Sequence, residues 1–199
     1  MNPVAVAVTG ASGMPYALRL LECLVEAGES VWLMFSEAAR VVAGMESGLD
    51  LPGRSGDLER FFNAYLGAEE GQLRVFGPRQ WTAPLASGSN PPRAMVVCPC
   101  SMGTLAAIAQ GSSDNLIERA ADVVLKEGRP LVLVPRETPF SAIHLENMLR
   151  LARLGAVILP ANPGFYHRPE TIEDLVDFVV ARILDRIGVP HTLGVRWGE

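Results

Sequence analysis

Short apolar runs alternate with segments of helical periodicity along most of the chain. Each apolar run predicts a β-strand, and each periodic segment predicts a helix. The predicted strands cover residues 4–9, 30–35, 73–76, 94–98, 131–134 and 156–159. The predicted helices cover about 14–27, a segment from 36 onward, 58–66, 102–109, 115–127, 142–154 and 171–187. The region 48–93 is less regular and contains the loop WTAPLASGSNPP.

Strands that alternate with helices form a parallel sheet, because right-handed crossovers place the helices on both of its faces. We therefore predict an α/β fold of three layers, with the sheet in the middle. No internal repeat or linker interrupts the pattern. Residues 1–199 are expected to form one domain, with a C-terminal tail at about 188–199.

Five segments that follow predicted strands carry small, polar or charged side chains. They read TGAS, FSEA, CPCSMGT, VPRETP and LPANPGFYHRP. Ligands of open parallel sheets bind outside the carboxyl ends of the strands. We therefore expect these segments to converge on one crevice that holds the ligand.

The first of these turns, residues 9–13, reads TGASG and leads directly into a helical pattern. A dinucleotide site would need a third glycine in this turn and an acidic residue at the end of the second strand. Both positions are occupied by other residues here. A Walker A lysine and a Tyr-x-x-x-Lys pair are also absent. The turn therefore suits a single phosphate or the edge of a flavin, held by backbone N–H groups and the Ser12 hydroxyl. A tight turn without any ligand remains the alternative interpretation.

The segment after the fourth predicted strand provides a second helix start. Ser101, Gly103 and Thr104 lie where backbone N–H groups and small hydroxyls accept an anion. Cys98 and Cys100 have no further Cys or His at metal-ligand spacing. We therefore expect these two cysteines to be small core residues and not metal ligands.

Composition excludes several classes of protein. The chain has 17 Lys+Arg against 22 Asp+Glu, and this net charge of −5 argues against nucleic-acid binding through a bulk positive field. No apolar stretch approaches the length that spans a bilayer, and the N-terminus lacks the pattern of a signal peptide. The three cysteines suit a reducing compartment. We expect a cytoplasmic protein with neither nucleic acid nor membrane as its partner.

Longer motifs resemble one known family. TGASG, CPCSMGTLAAIAQGSSDNLIERAADV, RPLVLVPRETP, IHLENM and GFYHRP occur here in the order found in UbiX-type flavin prenyltransferases. Those enzymes belong to the flavoprotein superfamily, which also contains the cysteinyl decarboxylases. The resemblance covers nearly the whole chain and is weakest over residues 48–93 and the last dozen residues.

This resemblance implies a flavodoxin/Rossmann-like fold and a homododecamer that binds reduced FMN at a subunit interface. It implies an enzyme that joins the dimethylallyl group of dimethylallyl monophosphate to N5 and C6 of the flavin, without a metal. The product, prenylated FMN, would serve a decarboxylase of the UbiD type, which connects the chain to ubiquinone biosynthesis.

The resemblance also implies roles for individual residues. The flavin-contacting positions are Gly10, Ala11, Ser12, Ser36, Ser101, Met102, Gly103, Thr104 and Arg136. The positions for the donor phosphate are Tyr166, Arg182, Lys126 and Arg119. The catalytic positions are Glu137, Lys126 and Ser12, with Glu137 as the carboxylate that relays a proton to the departing phosphate and from flavin N5.

These side chains also have plainer interpretations. Lys126 ends a helix, where the helix macrodipole favours a cation by about 0.3–1 kcal/mol. Arg136 and Glu137 are consistent with a surface ion pair of little energetic value. Arg182 lies at the margin of an apolar stripe, where a cationic side chain often only snorkels, and Tyr166 is consistent with a packed aromatic residue.

Two other functions are weighed against prenyl transfer. Cysteinyl decarboxylation needs a base histidine early in the chain, and the first histidine here is His144. A non-catalytic FMN carrier would leave the cationic residues unexplained, because FMN has only one phosphate. A monophosphate and a diphosphate donor both stay open, and no role is assigned to Glu46, Trp81, Ser87 or His167.

Overall fold

The computed structural model describes residues 2–194 and Gly198. Its sheet has six strands, and every pair of neighbouring strands is parallel. The strands are β1 (Val4–Val8), β2 (Val31–Phe35), β3 (Leu73–Phe76), β4 (Ala94–Cys100), β5 (Leu131–Pro135) and β6 (Val157–Ile158). Their order is β3-β2-β1-β4-β5-β6, the order of a Rossmann sheet. The predicted parallel α/β sheet is therefore confirmed.

Seven α-helices connect or flank these strands in the described part of the chain. They are α1 (Met14–Glu26), α2 (Glu37–Ser47), α3 (Ser55–Leu66), α4 (Met102–Gln110), α5 (Leu116–Lys126), α6 (Ala142–Arg153) and α7 (Ile172–Ile187). Two boundaries differ from the prediction by more than one residue. α3 begins three residues earlier than residue 58, and β4 continues past Pro99, whose carbonyl oxygen accepts a hydrogen bond from the Thr9 N–H at 3.2 Å.

Two hydrophobic cores lie on the two faces of the sheet. Alternate side chains of β1 divide between them: Val6 lies in the first core and Ala7 in the second. The first core contains the buried faces of α1, α3 and α7, and the second contains those of α4, α5 and α6. The predicted three-layer arrangement is confirmed, and it puts α5 and α7 on opposite faces of the sheet.

Ion pairs join distant parts of the chain beneath α7. Arg19 of α1 contacts Asp177 of α7 at 2.7 Å, and both side chains are about one-third exposed. Near the end of α7, the Arg93 guanidinium donates to the backbone carbonyl of Ile187 at 2.7 Å and pairs with Glu29 at 2.7 Å. These contacts fix α7 against α1 and so position the loop that precedes α7.

The predicted tail at 188–199 is only partly described. Val189 is buried, and residues 195–197 and 199 lie outside the described residues. Among the described helices, none is both long and apolar enough to cross a membrane.

Candidate functional site

The turn after β1 is tied to its neighbours by close contacts. A Cβ atom at Gly10 would lie 2.4 Å from the Cβ of Ala38, so α2 crosses this turn at a distance that only glycine permits. The Thr9 hydroxyl donates to the Pro99 carbonyl at 2.8 Å and accepts from the Ser101 N–H at 2.8 Å. The carboxyl ends of β1 and β4 are therefore held together, as the sequence predicted.

The start of α1 is occupied by a carboxylate from the chain itself. Glu46 Oε2 accepts hydrogen bonds from the backbone N–H groups of Gly13 and Met14 at 2.9 and 2.8 Å. Burial raises the pKa of Glu46, but hydrogen bonds from Ser12, Gly13 and Met14 together with the Arg136 charge outweigh it, so the pKa lies below its ordinary value. The two amides that best suit a phosphate at this turn thus serve an internal anion.

Arg136 brings the end of β5 to the same turn. Its Nε donates to the backbone carbonyl of Ser12 at 3.2 Å, and its charge acts on the Glu46 carboxylate. The neighbouring Glu137 is partly buried and accepts a hydrogen bond from the Thr138 N–H at 3.2 Å. Ser12, Glu46 and Arg136 form what we call the turn cluster, and Glu137 lies beside it in the chain.

The start of α4 leaves backbone N–H groups at the same edge of the sheet. Ser101 caps this helix, accepting from the Thr104 N–H at 3.3 Å and donating its hydroxyl to the Thr104 hydroxyl at 3.0 Å. Met102 and Gly103 lie in the first turn of α4, where backbone N–H groups have no carbonyl of the same helix to donate to. Because α1 is already capped by Glu46, α4 provides the helix start that is chemically suited to an external anion.

Other predicted flavin and core residues have structural partners. The Ser36 hydroxyl accepts from the Ala39 N–H at 3.1 Å and caps α2. Burial raises the pKa of the Cys98 and Cys100 thiols, so both are neutral core residues. Within the described residues, no group of three or more His, Cys, Asp or Glu side chains is arranged to hold a metal ion.

Arg119 and Lys126 lie along α5, where they contact the loop before β4. Arg119 Nε donates to the Ala86 carbonyl at 3.0 Å, and its guanidinium pairs with Asp122 at 2.7 Å. Lys126 pairs with Glu127, and a Cβ atom at Gly88 would lie 2.5 Å from Lys126 Nζ. We call Arg119 and Lys126, together with loop residues 86–88, the α5 cluster.

Tyr166 and Arg182 line one cavity of about 1040 Å³ between the loop 166–171, α7 and residues 191–194. The Tyr166 ring packs edge-on against Phe178, with ring centroids 5.7 Å apart. Arg182 pairs with Asp185 at 2.9 Å, and His191 contacts the other oxygen of the same carboxylate at 3.3 Å. The guanidinium of Arg182 is therefore half-exposed to the cavity but already has an anionic partner.

The structure does not bring all the predicted site residues together within one chain. Tyr166 and Arg182 lie on the α7 face of the sheet, whereas Arg119 and Lys126 lie on the α5 face. Lys126 also precedes β5 while Arg136 follows it, and a strand of five residues is about 13 Å long. Lys126 is therefore near the amino edge of the sheet, away from the turn cluster at the carboxyl edge.

Sequence reasoning assigned no role to two residues that the structure places at these sites. Glu46 lies 32 residues from Met14, and no local motif links the two. His167 stacks on Phe178 with centroids 5.4 Å apart, and both of its ring nitrogens are buried without a hydrogen-bond partner among the described residues. Trp81 is half-exposed, and the Ser87 hydroxyl contacts that of Ser89 at 3.0 Å.

Comparison with known proteins gives consistent matches over the full chain. Residues 1–184 match the family model described as Flavoprotein. The flavin prenyltransferase UbiX of Pseudomonas aeruginosa is 60% identical over 196 residues, which cover 98% of this chain and 94% of that protein. The enzyme of the same name from Halalkalibacterium halodurans is 48% identical, over 98% of this chain and 92% of its own.

Solved structures agree with these matches. A dodecameric FMN-dependent UbiX-like decarboxylase from Escherichia coli O157:H7 superposes with a TM-score of 0.86 at 43% identity, over 99% of this chain and 100% of that one. AnUbiX (PadA1), solved in complex with FMN and dimethylallyl pyrophosphate, gives 0.83 at 38% identity over 98% and 99% of the two chains. The cysteine decarboxylase TvaF, at 18% identity and a TM-score of 0.60 over 94% and 99% of the two chains, shares the fold alone.

The family match spans residues 1–184, and the similarity to curated UbiX enzymes covers 98% of the chain. The chain therefore belongs to the Flavoprotein family and, within it, to the UbiX flavin prenyltransferases.

Proposed function

We propose that this chain is a flavin prenyltransferase that joins the dimethylallyl group of dimethylallyl monophosphate to N5 and C6 of reduced FMN. The observation that carries the proposal is the 60% identity to a UbiX flavin prenyltransferase over 98% of the chain. The chemistry of the site residues is compatible with the proposal, because they include hydrogen-bond donors and cations that suit two phosphates.

The donor set at the carboxyl edge of the sheet fits FMN. The start of α4 provides backbone N–H groups and the hydroxyls of Ser101 and Thr104, and Arg136 provides a cation beside Ser12. We assign Gly10, Ala11, Ser12, Ser36, Ser101, Met102, Gly103, Thr104 and Arg136 to this flavin site. When bound, reduced FMN supplies the nucleophilic nitrogen and carbon that receive the dimethylallyl group.

Breaking the allylic C–O bond leaves its electron pair on the phosphate, which must then be stabilised by cations and protons. Arg182 and Tyr166 share one cavity and are assigned to bind the donor phosphate there. A phosphate at Arg182 would compete with Asp185, its partner within the chain. Lys126 and Arg119 provide the additional positive charge, and Glu137 relays a proton to the departing phosphate. Ser12, the third catalytic assignment, lies beside the flavin.

A single chain cannot use all of these residues at one site, because the sheet separates the α5 cluster from Tyr166 and Arg182. We therefore propose that copies of the chain complete the site for one another in a homododecamer. The E. coli structural relative is described as dodecameric. In such an assembly the α5 cluster of one copy approaches the turn cluster of another.

We also propose that the chain forms a single domain and that the enzyme works in the cytoplasm. Its product, prenylated FMN, would pass to a decarboxylase of the UbiD type in ubiquinone biosynthesis. Adding the released flavin to such a decarboxylase freed of its cofactor should restore decarboxylation, whereas unmodified FMN should not.

Anaerobic incubation with reduced FMN and dimethylallyl monophosphate tests the proposal directly. We expect release of inorganic phosphate and a flavin whose mass has increased by one dimethylallyl group less one hydrogen, which leaves as a proton on the phosphate. Unchanged flavin without phosphate release, from protein that binds FMN, would favour a carrier. Carbon dioxide released from a peptide with a C-terminal cysteine would favour the decarboxylase. A parallel incubation with the diphosphate donor identifies the leaving group.

A further inference from the structure

The outer face of α6 exposes large apolar side chains. The inner face of this helix is buried through Asn147, Met148 and Leu151, and α4 is its main helical neighbour. Four large apolar residues point away from that contact. Their exposed fractions are 67% for Ile143, 53% for Leu145, 51% for Leu149 and 62% for Leu154. Single exposed apolar residues are ordinary, but four on one helix and the turn that ends it form a patch of the kind that binds another protein.

Two charged residues within this patch have no ion-pair partner in the described part of the chain. Glu146 and Arg153 make no ion pair among the described residues. Arg150, by contrast, donates to Gln110 of α4 at 3.1 Å. Glu146, Leu149, Arg150, Arg153 and Leu154 line a shallow groove of about 450 Å³. One acid and one base on the exposed face of α6 thus have no ion-pair partner among the residues that the structure describes.

The exposed side chains of α6 are arranged almost symmetrically about Leu149. At 100° per residue, the exposed side chains fall into a central row and two flanking rows. The central row is Ala142, Glu146, Leu149 and Arg153; one flank has Ile143, Arg150 and Leu154, and the other has Leu145 and Ala152. Apart from Ala142 and Arg150, the residues before and after Leu149 in each row lie at nearly equal distances from it. Glu146 precedes it by three residues and Arg153 follows it by four.

We propose that two copies of this chain pair through α6, antiparallel, about a two-fold axis beside Leu149. Rotation about such an axis brings matching flanks together in reversed order. Glu146 then faces the partner's Arg153, and Leu149 faces the partner's Leu149. Ile143 faces the partner's Leu154 on one flank.

The charges on α6 favour an antiparallel pair of α6 helices over a parallel pair. A parallel pair would oppose Glu146 to the partner's Glu146 and Arg153 to the partner's Arg153, which like-charge repulsion disfavours. The antiparallel pair forms two ion pairs instead, one on each side of the axis. A surface that is both apolar and complementary to itself fits a second copy of the same chain.

The size of the patch fits one contact of a larger assembly. α6 has 12 residues and is about 18 Å long. Two helices of this length bury less than the roughly 800 Å² per partner of a standard interface. The inference rests on the self-assembly proposed above and names one of the surfaces that produces it.

A charge-reversal series tests the pairing. Glu146→Arg and Arg153→Glu each place like charges opposite one another, so each single variant should form smaller species than the wild type in sedimentation velocity. The double variant Glu146→Arg/Arg153→Glu restores opposite charges and should recover the wild-type size. Glu26→Arg, on the exposed end of α1, is the matched control and should leave the size unchanged.

A cross-linking variant locates the axis. The native cysteines Cys23, Cys98 and Cys100 are all buried, so an introduced surface thiol dominates the reaction. Leu149→Cys should form a disulfide-linked dimer under mild oxidation, because residue 149 meets its own copy at the axis. Glu26→Cys should remain monomeric on a non-reducing gel.

The outcomes separate this inference from the proposed function. Smaller single variants, a restored double variant and a dimer from Leu149→Cys support the α6 pair. Single variants of wild-type size, or a double variant that stays small, overturn the α6 pair and leave the prenyltransferase proposal intact. A wild type that sediments as a monomer overturns both the α6 pair and the proposed dodecamer.

Discussion

The carboxylate of Glu46, near the end of α2, accepts a hydrogen bond of 2.8 Å from the backbone N–H of Met14 at the start of α1. The same oxygen accepts from Gly13 at 2.9 Å. A negative group at this position also offsets the positive end of the α1 dipole. One side chain of α2 therefore caps another helix and closes the turn that follows β1.

Glu46→Gln should lower the free energy of unfolding by about 1 kcal/mol at neutral pH, because the capping hydrogen bonds lose their ionic acceptor. The pKa of Glu46 is lowered in the folded protein, so its contribution is present above the unfolded pKa and is lost as pH falls through the folded pKa. Denaturant unfolding of the variant and the wild type should converge in acid, below a pH of about 4. Glu26→Gln, at the exposed end of α1, is the control variant and should unfold as the wild type does. A difference that persists unchanged in acid would contradict the capping role.

Gly10→Ala should destabilise the protein by about 1–3 kcal/mol, since the new methyl group would lie 2.4 Å from the Cβ of Ala38. The displacement of α2 should also weaken FMN binding, which titration followed by flavin fluorescence measures. Gly53→Ala meets no atom within 4 Å and serves as the control. Equal unfolding midpoints for the two variants would show that α2 can move away without cost.

Glu137→Gln should keep FMN bound but slow prenyl transfer by at least about 100-fold, the usual effect of losing a general acid or base. The measurement is single-turnover loss of reduced flavin, followed anaerobically at saturating donor. The control is Glu70→Gln, which changes an exposed carboxylate distant in sequence from Glu137. A Glu137→Gln variant as fast as the wild type would assign the proton relay to another residue.

Lys126→Ala should weaken donor binding as well as the rate, because in the proposed site this cation acts on the phosphate in both the ground state and the transition state. Lys126 is the only lysine in the sequence, so it carries the only side-chain amine that an amine-reactive reagent can label. Addition of the donor should protect Lys126 from labelling, as read by peptide mass. Arg129→Ala, an exposed cation three residues away, should change neither binding nor rate. Full labelling at saturating donor would place the phosphate elsewhere.

Mixed oligomers extend the same test. Because β5 separates Lys126 from Glu137 within a chain, a shared site would take one residue from each of two copies. Co-assembly of Lys126→Ala with Glu137→Gln should then recover part of the wild-type activity, since some sites receive both native residues. Mixtures no more active than the separate variants would indicate that each site is built from one copy.

Much of the fold could be predicted because its signals are local. Apolar runs bounded by turns mark all six strands, and helix starts such as Thr171, whose hydroxyl accepts from the Asp174 N–H at 3.1 Å, carry capping residues that can be read directly. The course of β4 through Pro99 could not be predicted from its own residues. It depends on the side chain of Thr9, which lies just after β1 and 90 residues before Pro99.

The candidate site was less predictable because its contacts are not local. The motifs identified Ser12 and Arg136, and the fold indeed joins them. Glu46 was missed as the cap of α1, since a single acid within an amphipathic helix carries no sign of its partner. The position of Lys126, in contrast, follows from the order of elements along the chain. Lys126 precedes β5 and Arg136 follows it, so the two residues lie at opposite edges of the sheet.

The burial of β1 on both faces also sets the order in which backbone amides exchange with deuterated solvent. All five residues Val4–Val8 are fully buried, and the strand is paired on both sides, by β2 and β4. Their amides are therefore exposed only when both cores open together, so they should exchange at the rate of global unfolding. Amides of β6, a two-residue strand at the edge of the sheet, should exchange through smaller local openings. Among the described residues, the strand that ends at the TGASG turn should thus exchange as slowly as β4, which is equally buried and also paired on both sides.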